Sequence, residues 1–300
     1  MYGNSILDDF KHAFNRPNNG LIRIILINII AFVVVRLIPV PFWLTGFNYE
    51  AIRHAIDSWL VLPSSLQEFI IKPWTLITYF FMHAGFFHIL FNMLFLYWFG
   101  RIINEFLGNE KVVNLYVLGG LAGGLFYMLM YNILPIFSEA VNFSYLIGAS
   151  AGVYAVVVGA ATFMPDYAIS LILIGPVRIK YIALFYVVLS IIQMPQGNAG
   201  GELAHLAGAA IGFIFIKQLR KGNDMGKPIN QFFRFVKSFF KKQPKVKVTY
   251  SSSNRRTANR RAYKSNQEEI DAILDKISES GYDSLTKEEK QKLFDASRSN

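Results

Sequence analysis

The stretch Gly148–Ala161, GASAGVYAVVVGAA, decides how the chain is read. Its first three residues look like a turn that presents a serine hydroxyl as a nucleophile, and the residues after them are apolar enough for a membrane helix. A reactive group at the head of a lipid-seeking segment makes sense only if the rest of the chain is also built for the membrane.

Composition agrees with that demand. The chain has 300 residues, is 53% hydrophobic, and contains 27 Phe and 15 Tyr; its mean hydropathy is +0.33. This is too apolar for an ordinary soluble protein of this length. Cysteine is absent, which excludes thiolate catalysis and disulfide scaffolding. The net charge of +10 is not spread along the chain. Residues 1–216 hold ten basic and ten acidic residues, whereas residues 217–300 hold twenty and ten. The excess therefore lies in the tail. Asp8 and Asp9, with no basic cluster and no small-residue cleavage site, argue against a removable leader, so the first apolar run is expected to stay as an anchor.

A membrane helix needs about 20 mostly apolar residues. Hydropathy places six candidate spans near residues 21–38, 86–104, 112–134, 148–164, 177–194 and 201–219. Lys11, Arg16, Arg101, Lys111, Arg178, Lys180 and the basic tail fall on one side of these spans, and mainly Arg53 and Lys72 on the other. Both termini are therefore expected to be cytoplasmic. The expected fold is an all-α, polytopic membrane protein with a six-helix core over residues 21–220, preceded by a cytoplasmic segment over 1–20. The segment from Pro39 to Pro73, with Trp43, Trp59 and Trp74 nearby among short apolar turns, suits a loop lying in the outer headgroup zone. From Lys217 to Lys264 fifteen basic residues face one acid, Asp224. Such a juxtamembrane run attracts anionic lipid, and nucleic acid is not expected as a partner. Residues 221–265 are expected to form a disordered basic linker. Residues 266–300 should form a small helical module, with Ile270, Ile273, Leu274 and Ile277 at helical spacing, a break at Gly281, and a capping box from Thr286 to Glu289.

Polar side chains inside lipid are costly, so those that occur there are functional candidates. They are His83, His88 and Asn92 at the second span, Ser150 at the fourth, and Glu202 and His205 at the sixth. His88 and Asn92 are four apart and share a helix face, as do Ser150 and Tyr154. His205, Gly208 and Gly212 form a stripe whose missing side chains let another helix approach closely. If that helix is the fourth, Ser150 and His205 meet. A serine hydroxyl needs a base, and the oxyanion formed by its attack needs preorganised donors. Ser150, at a helix amino terminus, has free backbone N–H groups nearby, and His88 with Asn92 can add side-chain donors.

Taken in order, HAGFFHILFN, GASAG and AHLAGAAIG resemble the motifs of the rhomboid family of intramembrane serine proteases over roughly residues 15–220. The resemblance implies Ser150 as nucleophile and His205 as general base in a dyad without a carboxylate, with His88, Asn92 and Ser150 holding the oxyanion. It further implies Tyr154 packing on the imidazole, His83 in structural hydrogen bonding, and Gly148 and Gly208 as supporting residues. The amphipathic loop corresponds to the family's first external loop. The chain has Ala151 where the family often has Gly after the serine, and Trp74-Thr75 where the loop often has Trp-Arg. Glu202, three residues before His205, is expected as a helix-end carboxylate facing water rather than as a third member orienting the imidazole.

The function so implied is hydrolysis of peptide bonds in or near transmembrane segments of other membrane proteins, in a bacterial cytoplasmic membrane and without a cofactor or metal. Three alternatives are weighed against it. One is a catalytically inactive rhomboid-like protein that binds transmembrane helices. Another is a metal or haem protein using His83, His88 and His205, and the third is a transporter.

Overall fold

The computed structural model describes residues 14, 16, 18–171, 174–240 and 254–297, with the side chains of all of these except 240 and 254–266. The expected cytoplasmic segment 1–20, with Asp8, Asp9 and Lys11, lies almost wholly outside the described residues, as does the run 241–253. One unit ends at Phe240 and a second begins at Lys241.

Apolar runs interrupted by Gly, Pro and polar residues give the first unit a helical order. It consists of α1 (Gly20–Leu37), α2 (Pro39–Leu44), α3 (Tyr49–Asp57), β1 (Leu62–Pro63), α4 (Leu66–Ile71), α5 (Thr75–Thr78), α6 (Phe86–Leu107), α7 (Asn109–Ile133), β2 (Tyr145–Leu146), α8 (Ser150–Phe163), β3 (Ala168–Leu171), β4 (Gly175–Arg178), α9 (Ile179–Gln193), α10 (Ala199–Arg220) and α11 (Lys227–Phe240). Helices occupy all six places expected of spans. Five helical segments are long and apolar enough to cross a membrane: Gly20–Leu44, Phe86–Leu107, Asn109–Ile133, Ile179–Gln196 and Ala199–Arg220. The protein is an integral, multi-pass membrane protein. The remaining apolar helix, α8, has 14 residues. At 1.5 Å per residue it is about 21 Å long, against a hydrocarbon core of roughly 30 Å.

α8 occupies the centre of the unit. Ten of its residues are buried, including Ala151, Val153, Tyr154, Ala155 and Gly152, and it packs on α10, α7, α6 and α9. Glycine makes that crowding possible. A Cβ on Gly208 or Gly212 of α10 would run into the carbonyl oxygens of Ala151 and Ala155, and one on Gly123 of α7 would sit 2.5 Å from the Ala151 methyl. From α8 itself, a Cβ on Gly152 would sit 2.5 Å from the Tyr116 carbonyl of α7. Lipid supplies no hydrophobic drive between helices, so such backbone-to-backbone contact is where their association energy comes from. Polar pairs fix the register: Asn28 donates to Ile24 O and to Tyr116 Oη, and Tyr79 Oη donates to Gly120 O at 2.6 Å.

The connection between α1 and α6 is a built structure rather than a plain loop. Asn48 and Ser65 cap α3 and α4 through their side chains. Trp59 and Trp74 stack with centroids 5.9 Å apart, and the Trp74 indole donates to Trp59 O. Ser64 Oγ donates to Val141 O and Ser144 O, both at 2.8 Å. β1 then pairs antiparallel with β2, with Leu62 opposite Leu146. Trp43, Leu44, Phe47, Ile70 and Ile71 remain exposed around this framework.

Two departures from expectation lie in the stretch read as a disordered linker. α11 is a helix of 14 residues. Ile229, Phe232, Phe233 and Val236 recur at helical spacing opposite Lys227, Arg234 and Lys237, a stripe that the charge count had hidden. It is pinned to the start of α7, where Lys111 Nζ meets Asp224 at 2.5 Å and Asn230 donates to Glu110. In the second unit, α12 (Asn254–Ser280) begins within the same stretch, whose Arg, Ala, Lys and Gln are good helix formers. α12 stops at Gly281, whose φ of +80° suits only glycine well. The Thr286–Glu289 capping box then opens α13 (Lys287–Ser297), with Glu289 N–H donating to Thr286 Oγ1 and Thr286 N–H to Glu289. Ile273 and Leu285 are buried, while Leu274 faces outward.

Two predictions follow from this packing. Gly208→Val should force α10 off α8 and lower stability by roughly 1–3 kcal/mol or more, read as a fall in thermal midpoint in detergent. Burial raises the Asp224 carboxyl's pKa, but the Lys111 ammonium and the Gly226 N–H outweigh it and hold the group below its ordinary value of 3.8. The resulting stabilisation is present at neutral pH and is lost as pH falls through that lowered value. The protection of amides over residues 224–240, taken relative to the intrinsic exchange rate at each pH, should therefore fall on acidification below the ordinary carboxylate range. In Asp224→Asn the exchange should already be fast at neutral pH.

Candidate active site

Three elements aim Ser150. The β1–β2 pairing holds the chain just before α8, and the Gly148 N–H donates to Tyr79 O at 2.9 Å. Gly148 itself has φ of +118°, and a Cβ there would lie 2.9 Å from the ring of His88. A side-chain-bearing residue is therefore excluded both by backbone geometry and by space. The turn ends with Ser150 as the first residue of α8, where N–H groups without intrahelical acceptors and the helix dipole favour a developing anion.

Ser150 Oγ lies 2.8 Å from His205 Nε2. The imidazole is held on several sides. Tyr154 stacks on it at a centroid distance of 4.3 Å and an interplanar angle of 8°. Ser190 Oγ on α9 lies 3.4 Å from Nδ1 and 2.9 Å from Tyr154 Oη. Glu202 corrects the expectation stated for it. Instead of facing water it is only 5% exposed, and its Oε2 lies 3.0 Å from His205 Nδ1. The i,i+3 spacing puts carboxylate and imidazole on one face of α10, and that face turns inward onto Ser190 rather than out of the bundle. Ser190, 1% exposed, is absent from the sequence candidates. As a lone hydroxyl inside the apolar run YVVLSIIQ, it satisfies the same intramembrane-polarity rule that selected the others.

His88 and Asn92 come from α6 and reach the same place. The Ala84 N–H donates to His88 Nδ1 at 3.2 Å. In the neutral ring this puts the proton on Nε2, the atom facing the Gly148 turn. Asn92 spends one amide N–H on His88 O at 2.8 Å and keeps the other. His83 stands behind this pair, its ring 5.1 Å from that of His88 and its Nδ1–H directed at Phe81 O. Arg36, at the end of α1, donates to the carbonyls of His83 and Ala84, both at 2.7 Å. Ser150, His205, His88, Asn92, Tyr154, His83 and Gly148 thus lie around one point. Gly208 does so indirectly, through the α8–α10 contact.

Ser150, His205, His88, Asn92 and Tyr154 line a cavity of about 340 Å³ whose remaining wall is apolar and aromatic, including Phe91, Phe95 and Tyr186. A hydroxyl against an imidazole acceptor, facing two N–H donors across an apolar slot, is an arrangement able to perform acyl transfer on an extended chain. Among the described residues, no three His, Asp or Glu side chains converge as metal ligands.

Comparison with known proteins follows this geometry. The family model described as Rhomboid domain matches residues 71–221, half of the chain, and these residues include the whole cavity. The tail residues 257–299 match a model described as a family of unknown function (DUF6576). The Arabidopsis thaliana protein named RHOMBOID-like protein 12, mitochondrial, is 30% identical over 157 residues, 49% of this chain and 47% of the relative. The chain thus spans about half the length of that curated relative. With its motifs, cavity and matched domain in register, the chain belongs to the rhomboid family.

Proposed function

We propose that the protein is an intramembrane serine endopeptidase that cleaves peptide bonds in or near transmembrane segments of other membrane proteins. The observation that carries this reading is the 2.8 Å approach of Ser150 Oγ to His205 Nε2 at the wall of the cavity. In this reading His205 accepts the serine proton as Oγ attacks the scissile carbonyl. The tetrahedral oxyanion is held by the Ser150 backbone N–H, the His88 Nε2–H and the free Asn92 N–H. His205 then protonates the leaving amine, and a water molecule entering from the outer face hydrolyses the acyl-enzyme. The chemistry requires no cofactor.

The topology belonging to this reading has six crossings, with α8 as a short fourth whose amino terminus starts below the bilayer surface. Both termini then share the cytoplasmic side, in a bacterial cytoplasmic membrane. The loop containing α2–α5 rests in the outer headgroup zone on its exposed Trp, Phe and Ile side chains. α11, with exposed Phe232, Phe235 and Phe239 beside Lys and Arg, lies along anionic lipid on the inner side.

The rival within the same fold is an inactive, helix-binding relative. Ser150 and His205 at hydrogen-bond distance favour the enzyme, because helix binding alone does not require that contact. In proteoliposomes, Ser150→Ala and His205→Ala should each abolish cleavage of a transmembrane reporter while leaving the thermal midpoint intact. A fluorophosphonate probe should label wild-type Ser150 and fail in His205→Ala. Undiminished cleavage in either variant rules the enzyme out. His88→Ala and Asn92→Ala should each lower kcat by a factor of about 100 to 1,000, because each removes one oxyanion donor.

A further inference from the structure

The buried carboxylate of Glu202 has no role in a two-residue Ser–His mechanism, and its placement is costly. A carboxyl group taken from water into a membrane protein interior must be compensated by strong partners. Glu202 has three forms of compensation: a position in the first turn of α10, where the helix dipole favours an anion, His205 Nδ1 at 3.0 Å, and the Ser190 hydroxyl. One of its partners is thus the ring that also touches Ser150.

The chemistry of that contact is directional. A carboxylate accepts and does not donate, so the ring proton shared with Glu202 resides on Nδ1. Nε2 then carries the lone pair, and it is Nε2 that lies against the Ser150 hydroxyl. Without an acceptor at Nδ1 the neutral ring can move its proton to Nε2, which then cannot accept from serine. A carboxylate at Nδ1 also favours the imidazolium formed when serine gives up its proton. The other polar groups facing the ring are Tyr154 on α8, Ser190 on α9 and His88 on α6. None of these is a carboxylate. Ser190 and Tyr154, bonded to each other, fix the plane of the ring but do not settle its tautomer.

We infer that Glu202 is a positioning residue that completes a Ser150–His205–Glu202 relay, holding His205 in the tautomer that accepts the serine proton. This inference rests on the reading of Ser150 as nucleophile. It assigns Glu202 a function beyond anchoring the amino terminus of α10.

The test uses the full-length protein in detergent and reads the rate of fluorophosphonate labelling of Ser150 from pH 5 to 10, with the thermal midpoint measured in parallel. The wild type, Glu202→Gln, Glu202→Asp and Ser190→Ala are compared. Glu202→Gln keeps shape but is neutral and can turn either its oxygen or its N–H to Nδ1, so it neither fixes the tautomer nor favours the imidazolium. Its labelling rate at neutral pH should fall on the order of 100-fold or more, and its pH profile should change shape. Glu202→Asp, which retains an acceptor, should restore part of the rate. Labelling of Glu202→Gln within about threefold of wild type, with an unchanged pH profile, overturns the inference while leaving Ser150 and His205 in place. Should Glu202→Gln fail to fold, the wild-type protein still decides. With ¹⁵N-histidine it should show a low-field imidazole N–H proton that disappears in His205→Ala, and absence of that proton overturns the relay. If wild-type Ser150 is not labelled at all, the enzyme reading fails and the relay fails with it.

Discussion

Everything at the cavity depends on how closely α10 can approach α8. Gly208 and Gly212 let the α10 backbone rest on the carbonyls of Ala151 and Ala155, and only at that separation can an imidazole one turn from Gly208 reach the first hydroxyl of α8. The contact works without a hydrophobic drive, since lipid is as apolar as the helices themselves. Its strength comes from dispersion between backbones that no side chain keeps apart. The same principle recurs where α7 meets α8, with Gly119 and Gly123 of α7 and Gly152 of α8 itself letting α7 in. Ser150 is thus mounted on a helix held by two glycine-lined neighbours, while an apolar slot is left open in front of it.

Much of this was legible in the sequence because the signals were local. Residues four apart on a helix share a face whatever the tertiary structure, so the His88–Asn92 and Ser150–Tyr154 pairs could be read directly. A small-residue stripe under His205 announced a close neighbour, and the spacing of Thr286 and Glu289 announced a helix start. What escaped depended on longer-range packing. The sequence cannot say whether the first turn of α10 faces water or the bundle, so Glu202 was misjudged; the inward turn becomes visible only once α9 brings Ser190 against it. Ser190 itself was overlooked because one hydroxyl among fourteen largely apolar neighbours resembles ordinary helix back-bonding. α11 is hard to read for a different reason, since a high density of Lys and Arg, the composition of a solvated linker, is superimposed on a 3.6-residue repeat of Phe, Ile and Val.

The site also shows how polarity is rationed inside a membrane fold. Each ring nitrogen of His88 and His205 has an identifiable task, and each task is set by a neighbour rather than by the histidine itself. Ala84 N–H decides the proton position on one ring, and the Glu202 carboxylate does so on the other. The outcome is two imidazoles of opposite character within one cavity, an Nε2–H donor on α6 and an Nε2 acceptor on α10. Had either neighbour been missing, the two rings would have been chemically interchangeable.

The Arg36 guanidinium gives α1 a share in that division of labour. By gripping the carbonyls of His83 and Ala84, it steadies the very peptide whose N–H orients His88, although Arg36 lies well outside the matched residues 71–221. A fragment pared down to the conserved domain would retain every side chain that lines the cavity, yet it would forfeit the splint that keeps one of those side chains chemically distinct. The boundary of the matched domain and the boundary of the hydrogen bonding that supports the cavity therefore fall in different places along this chain.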